Sequence, residues 1–337
     1  MDKNPLSNRK QPVSRRDFLK LGGLVGATSL LSACGANPPT AAPTQAPTST
    51  PVAAAEPALR IAHISDMHIQ DRYTSQLFAR ALRNLQMLTP AVDFIFNAGD
   101  CVMDSLYATK EEALEQWDAF HAGLPQDFPI PVHHAIGNHD VWGWGLNAER
   151  QAEYLNDPLL GKGLAVQQLG LTNRYYSFEQ NGWHFIVLDS VHPAIAESEH
   201  VYTGKLDDEQ FDWLTQELER VAPSTPILVV SHIPILCACE LLDGNNESSG
   251  NWNMPGAWMH IDARRFWNLF WDHPNVKLCL SGHAHQVEDL RYHGVRYVNN
   301  GSICGNWWNG SYMDCPPGYM VYNLYQDGSA ECEYVTY

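Results

Sequence analysis

Positive charge is scarce in this chain: 21 Lys and Arg stand against 38 Asp and Glu in 337 residues, a formal net charge of −17. A surface of that sign repels nucleic-acid polymers and anionic lipid, so neither is expected as a direct partner. An apolar run long enough to span a bilayer is also missing. "LGGLVGATSLLSA", after Lys20, has only 13 uncharged residues. Among the eight cysteines there is no C-x-x-C pair, so a zinc ribbon has no support. No internal repeat is evident. What remains, at 45% hydrophobic residues, is enough for one large domain or two small ones.

The first segment reads as targeting rather than fold. Arg15 and Arg16 in "SRRDFLK" precede the short apolar run as in a twin-arginine export signal. The run ends in "LSAC", a lipoprotein cleavage box that makes Cys34 the expected lipidation site. Residues 1–34 are therefore expected to be signal, and 35–58 a Pro/Thr/Ala-rich spacer reaching about 70 Å when extended. Six basic and two acidic residues lie in the first 33, so the remainder carries 15 against 36, a net of −21. This implies an exported protein at the cell surface or periplasmic face, held to the membrane only through Cys34. Phosphate chemistry on so acidic a chain needs positive charge from bound metal ions. Export permits disulfides, but the seven other cysteines leave at least one thiol unpaired. Cys279, inside an apolar run, reads as a small core residue.

The folded domain is expected over 59–337. "LRIAHIS" (59–65), "DFIFNAG" (93–99) and "PVHHAIG" read as strands separated by two helix-period segments, 75–88 and "EEALEQWDAFHAGL". That β-α-β-α-β order implies parallel pairing and right-handed crossovers. Asn181-Gly182 marks a hairpin within 174–190. "DDEQFDWLTQELERV" is helical, with acidic residues in its first turn. "PILVVSH" and "VKLCLSGHAH" are buried strands, and "VRYVNN", "GYMVYNLYQDG" and "AECEYVTY" read as antiparallel ones. Mixed strands with helices between them suggest two packed sheets flanked by helices.

Five of these strands run abruptly into polar residues: "ISDMH" (Asp66, His68), "NAGD" (Asp100), "IGNHD" (Asn138, His139, Asp140), "VVSHIP" (His232) and "LSGHAH" (His283, His285). In open α/β sheets, ligands bind beyond the carboxyl ends of the strands, so all five place side chains on one edge. Each piece alone is most simply a turn. Together they make a mixed nitrogen and oxygen donor set suited to Fe, Mn or Zn, and so many donors fit two ions better than one.

The set Asp-x-His, Gly-Asp, Gly-Asn-His-Asp, His after an apolar strand and Gly-His-x-His resembles the calcineurin-like metallophosphoesterase superfamily over roughly residues 59–302. The resemblance implies a four-layer α-β-β-α sandwich with two mixed sheets and two divalent metal ions. It implies that Asp66, His68 and His285 hold one ion, that Asn138, His232 and His283 hold the other, and that Asp100 bridges both. It also implies phosphoester hydrolysis by a metal-bridging hydroxide, with His139 free to assist the leaving group. Met103 stands where phosphoprotein phosphatases of the family carry an aspartate and purple acid phosphatases a tyrosine. The "GDCVMD" spacing is more similar to the cyclic-nucleotide phosphodiesterase (Icc/CpdA-like) branch. Asp104 and Asp140 are both candidates for orienting His139.

Trp142, Trp144, Trp252, Trp258, Trp307 and Trp308 lie in Gly/Asn-rich segments and are candidates for an aromatic rim at the leaving group. Such a rim fits a nucleobase, aryl or sugar group on a small phosphoester. A phosphodiester substrate is favoured. The alternatives are a phosphomonoesterase and a non-catalytic binding lipoprotein. The remaining histidines, among them His63, His133, His134, His184 and His192, fit no motif and read as core or surface residues.

Overall fold

Alternation decides the architecture. In strand β1 (Leu59–Ile64) the odd positions Leu59 and Ile61 face one apolar cluster, while Ala62 and Ile64 face another. A strand buried on both faces must lie between layers. The computed structural model describes residues 56–337 apart from 126, 196–199 and 244–245. The twin arginines, Cys34 and most of the spacer fall outside the described residues.

One sheet has the order β13 (Ala330–Thr336), β12 (Gly318–Leu324), β1, β2 (Phe94–Asn97), β3 (Val132–His134). β1, β2 and β3 are parallel, as the β-α-β-α-β order requires, and β12 joins β1 antiparallel. The second sheet has the order β10 (Val287–Tyr292), β11 (Val295–Asn300), β9 (Val276–Ser281), β8 (Ile227–Val230), β5 (Trp183–Val187), β4 (Tyr176–Gln180), and β6 (Val191–Pro193) pairs antiparallel with β7 (Tyr202–Gly204) as a separate ribbon. β4 and β5 are the hairpin turning at Asn181-Gly182, with positive φ at both residues. β11, expected to be antiparallel, pairs that way only with β10; against β9 it is parallel.

Phe94, Phe96, Phe185, Trp183, Val230 and Leu280 fill the space between the sheets. On the outer face of the first sheet, Phe78, Leu82, Trp117 and Phe120 pack from the helices Arg72–Gln86 and Lys110–Gly123. On the outer face of the second, Phe211, Leu214, Phe266 and Phe270 pack from the helices Asp208–Arg220 and Ala263–Asp272. The result is the expected four-layer α-β-β-α sandwich. Among the described residues no helix is long and apolar enough to cross a membrane.

Local signals explain the helix starts. Asp71 caps the first helix and forms a reciprocal capping box with Thr74; Thr109 and Glu112 do the same for the second. The first helix therefore begins at Arg72, three residues before its apolar periodicity becomes visible. All seven cysteines among the described residues are free thiols, and Cys279 is a buried core residue as expected.

Candidate metal centre and proton donor

The five polar strand ends converge on one edge, where the two sheets meet. Asp66 and His68 follow β1, Asp100 follows β2, and Asn138, His139 and Asp140 follow β3. His232 follows β8, and His283 and His285 follow β9. Asp66, His68, Asp100, Asn138, His232 and His285 are almost completely buried. Asp66, His68, Asp100, His283 and His285 all have positive φ, between 45° and 71°. Left-handed backbone costs an L-residue about 1–2 kcal/mol, so five such residues around one point are held there by the surrounding fold.

Asp100 lies at the centre. Its Oδ2 is 3.7 Å from His68 Nε2 on one side and 3.3 Å from His232 Nε2 on the other. His68 Nε2 is 3.1 Å from His285 Nε2, and His285 Nε2 is 3.5 Å from Asp66 Oδ1. On the opposite side, His232 Nε2 is 3.0 Å from Asn138 Oδ1. Donor atoms of Asp100, His232 and His283 all lie within 4.8 Å of one another.

The ring orientations fit cation binding. His232 Nδ1 donates to the Ala98 carbonyl, His285 Nδ1 to Gly305, and His283 Nε2 to Ala257. Each donates one N–H to backbone, which fixes the ring orientation and turns the other nitrogen inward. Burial pushes His68 and His283 down to about 3, so both are neutral imidazoles able to coordinate. At His232 and His285 burial also acts downward, but Asp100 and Asp66 outweigh it and favour the protonated ring, up to about 9 at His232, so a cation there displaces a proton. For Asp66 and Asp100 burial acts upward, but adjacent imidazoles (His285 and His232 foremost) outweigh it and keep both carboxylates ionised. The donor chemistry and the inward-facing ring nitrogens together suit divalent ions, with Asp66, His68 and His285 on one side of Asp100 and Asn138, His232 and His283 on the other.

Two glycines permit the closure. A Cβ at Gly137 would stand 2.1 Å from Asp100 Oδ1, and one at Gly282 would stand 2.5 Å from Ser65 Oγ.

Asp140 and Asp104 separate clearly. Asp140 is fully buried, and its carboxylate accepts the backbone N–H groups of Asp100 (2.9 Å), Cys101 (2.8 Å) and Gly137 (2.8 Å). It knots the β2 and β3 loops together. Asp104 instead faces the His139 ring, Oδ1 to Nδ1 at 3.6 Å. Gln116, on the Lys110–Gly123 helix, accepts the Asp104 amide at 2.9 Å and fixes its place. Burial pulls His139 down, but Asp100 and Asp104 more than offset this and hold it up at about 9, protonated at neutral pH. The His139 backbone is tied down too, its N–H donating to Asp100 Oδ1 at 2.8 Å.

The tryptophans divide. Trp307 is 37% exposed, with its ring 4.8 Å from His285 and 5.9 Å from His68. Trp308 is half-buried beside it and donates Nε1–H to the His68 carbonyl. Trp142, expected at the rim, is instead fully buried: its Nε1 donates to the Ala108 carbonyl and the ring packs on Tyr154. Trp144 lies half-buried in the same cluster, under the Lys162 ammonium. Trp252 is exposed and Trp258 half-buried. Of the histidines without a motif, His133 stacks on Phe178 and His134 is paired with Asn97, so neither joins the edge.

The sequence reading missed Cys304. Its Sγ lies within 4.8 Å of ring nitrogens of His68 and His285. Burial pushes its thiol up to about 12, and it contacts Ser302 Oγ at 3.2 Å. No sequence signal separates it from the other isolated cysteines.

Residues 59–287 match the family described as calcineurin-like phosphoesterase. A 3',5'-cyclic-nucleotide phosphodiesterase of Nostoc sp. is 24% identical over 287 residues, covering 80% of this chain and 90% of that protein. The 3',5'-cyclic adenosine monophosphate phosphodiesterase CpdA of Escherichia coli is 24% identical over 292 residues, covering 83% of this chain and 90% of that protein. A dimetal phosphatase from Danio rerio shares the fold, with a TM-score of 0.58 at 15% identity over 83% of this chain and 96% of that one.

Proposed function

Because this chain belongs to the calcineurin-like phosphoesterase family, we propose that it is a dinuclear phosphodiesterase acting on small phosphodiesters with an aromatic or nucleoside leaving group. The observation that carries this reading is the position of Asp100 Oδ2, between His68 and His232 and in reach of both. Asp66, His68 and His285 would hold one ion and Asn138, His232 and His283 a second, with Asp100 in reach of both. Iron, manganese and zinc suit such nitrogen and oxygen donors. When bound, the ions supply Lewis acidity toward phosphoryl oxygens and toward water.

The protein's own groups do the rest. Asn138 contributes a neutral oxygen, so the site gains no further negative charge against an anionic substrate. His139 presents Nδ1 to Asp104, which leaves Nε2 for the departing oxygen, and its raised pKa keeps a proton there for transfer. Asp104 orients the ring and stabilises its charge. Trp307 offers a flat surface beside His285 for the leaving group.

The cyclic-nucleotide activity named for the two relatives, each matched over 90% of its length, supports diesters over monoesters. The test is metal analysis with parallel hydrolysis of bis-p-nitrophenyl phosphate, p-nitrophenyl phosphate and 3',5'-cyclic nucleotides. Two metal equivalents at the edge and a preference for diesters are expected. Metal-free protein, or activity confined to the monoester, overturns the reading.

We further propose that the chain is exported through the Arg15-Arg16 signal and anchored by a lipid at Cys34. The sequence alone supports this. Cys34→Ala should move the protein from the membrane fraction to the soluble fraction; unchanged fractionation refutes the anchor.

A further inference from the structure

Two thiols and a carboxylate meet at a second place, apart from the strand-edge donors. Cys237 and Cys239 sit in the segment after His232, and Glu288 lies at the start of β10. One ligand atom from each lies within 4.8 Å of the other two. Zinc–sulfur bonds of about 2.3 Å in tetrahedral geometry place ligand atoms roughly 4 Å apart, so small side-chain rotations close this triangle on one ion. We propose that Cys237, Cys239 and Glu288 form a separate site for one zinc-like divalent cation.

Three further observations support it. First, the backbone between the thiols is already fixed: the Ala238 N–H donates to Glu288 Oε2 at 2.9 Å and Oε1 at 3.1 Å. That holds the carboxylate beside both sulfurs and leaves it lone pairs to spare. Second, an amide is aimed at one sulfur. The Ser281 hydroxyl donates to Asn299 Oδ1, which turns Asn299 Nδ2–H toward Cys239 Sγ at 3.7 Å. An N–H directed at sulfur orients it and can stay hydrogen-bonded to it when a metal is bound. Third, there is an entry path. A cavity of about 540 Å³, lined in part by Leu242, Trp252 and Val287, opens on Cys239 and Glu288. The two cysteines themselves are 3% and 8% exposed, buried enough to exclude most competing water. Three protein ligands leave the fourth position to water from that cavity.

Both cysteines pack against Ala284, the residue between His283 and His285. A cation here ties the segment after β8 to β10 and braces the His283–His285 loop from behind.

Cobalt(II) is the probe, because thiolate-to-cobalt charge transfer absorbs strongly in the near ultraviolet while nitrogen and oxygen ligands give no such band. The full reduced chain is loaded with cobalt(II) and titrated with zinc(II). The expected result is a band that zinc abolishes, that persists in Cys304→Ser and that falls at least tenfold in the double variant Cys237→Ser/Cys239→Ser. That variant should lose one metal equivalent and melt at a lower temperature. Glu288→Gln should weaken zinc binding about tenfold or more. No band in the wild type, or a band lost in Cys304→Ser instead, overturns the proposal. So does a Cys237–Cys239 disulfide with no metal uptake after reduction. Should the double variant fail to fold, zinc(II) must protect Cys237 and Cys239 of the wild type from alkylation, read by peptide mass; equal labelling with and without zinc overturns the site. The dinuclear reading of the strand edge is untouched by any of these outcomes, since its proposed ligands include no thiolate.

Discussion

His139 turns its Nδ1 toward Asp104 at 3.6 Å, while Asp140, its neighbour in sequence, points away and binds three backbone amides. Two aspartates that sequence alone leaves equivalent thus carry different loads. Asp104→Asn should lower kcat about tenfold with metal content intact. Asp140→Asn should loosen the β2 and β3 loops and lower both metal content and melting temperature. Metal analysis beside kcat separates them; matching losses of metal in both variants would refute the division.

A pH effect follows from the same pair. His139 is useful as its protonated form, so activity should fall as pH rises through its pKa, where burial acts downward and the neighbouring carboxylates upward. Asp104 is one of the two carboxylates that raise that pKa. Removing its charge in Asp104→Asn should move the alkaline limb of kcat toward lower pH, with no comparable movement of the acid limb. An alkaline limb at the same pH in both proteins would exclude His139 as the group responsible. His139→Ala should cost about a hundredfold or more in kcat while metal content stays near the wild-type value.

Removing metal should destabilise as well as inactivate. Without cations, the edge keeps two ionised carboxylates, Asp66 and Asp100, buried among imidazoles and strained backbone. Ions that bind the folded state and not the unfolded one raise the melting temperature by mass action. Chelation should therefore lower the transition by several degrees, and zinc or manganese should restore it. A melting temperature indifferent to chelator would show that the edge holds no ion.

Trp307 and Trp142 should behave in opposite ways. Trp307→Ala removes a half-open ring beside His285 and should raise KM for aromatic or nucleoside diesters about tenfold, with little change in stability. Trp142→Ala empties a fully buried volume and should cost about 3–5 kcal/mol of stability, read by urea unfolding.

Gly137→Ala tests the close approach of the loops. Its added methyl meets Asp100 Oδ1 at 2.1 Å, so Asp100 must move from its place between His68 and His232. Loss of metal at both positions is expected, and an active dinuclear protein would show that the loops give way more easily than their packing implies.

The edge was legible in sequence because each donor follows a short apolar strand directly. Position along the chain then converts into position in space, as Asp66 after β1 and His232 after β8 illustrate. What could not be read lies between such strands. The helices Ala148–Tyr154 and Lys162–Gln168 have seven residues each, too few for periodicity to register. The exposed placement of Trp307, against the burial of Trp142, depends on the positive φ at Trp307 and on the packing of Tyr154 over Trp142. Neither leaves a trace in local composition. Cys304 reaches His68 and His285 only because its loop returns over the end of β1, with its N–H bonded to the Asp66 carbonyl.

The proposed ligands are drawn from both sheets: Asp66, His68, Asp100 and Asn138 from one, His232, His283 and His285 from the other. The separation of the two ligand groups is thus a gauge of sheet alignment. A substitution deep in the layer between them, at Phe96 or Val230, should register as altered metal affinity before it registers as unfolding. Neither sheet alone presents the full set, so the proposed ions would need both sheets in place.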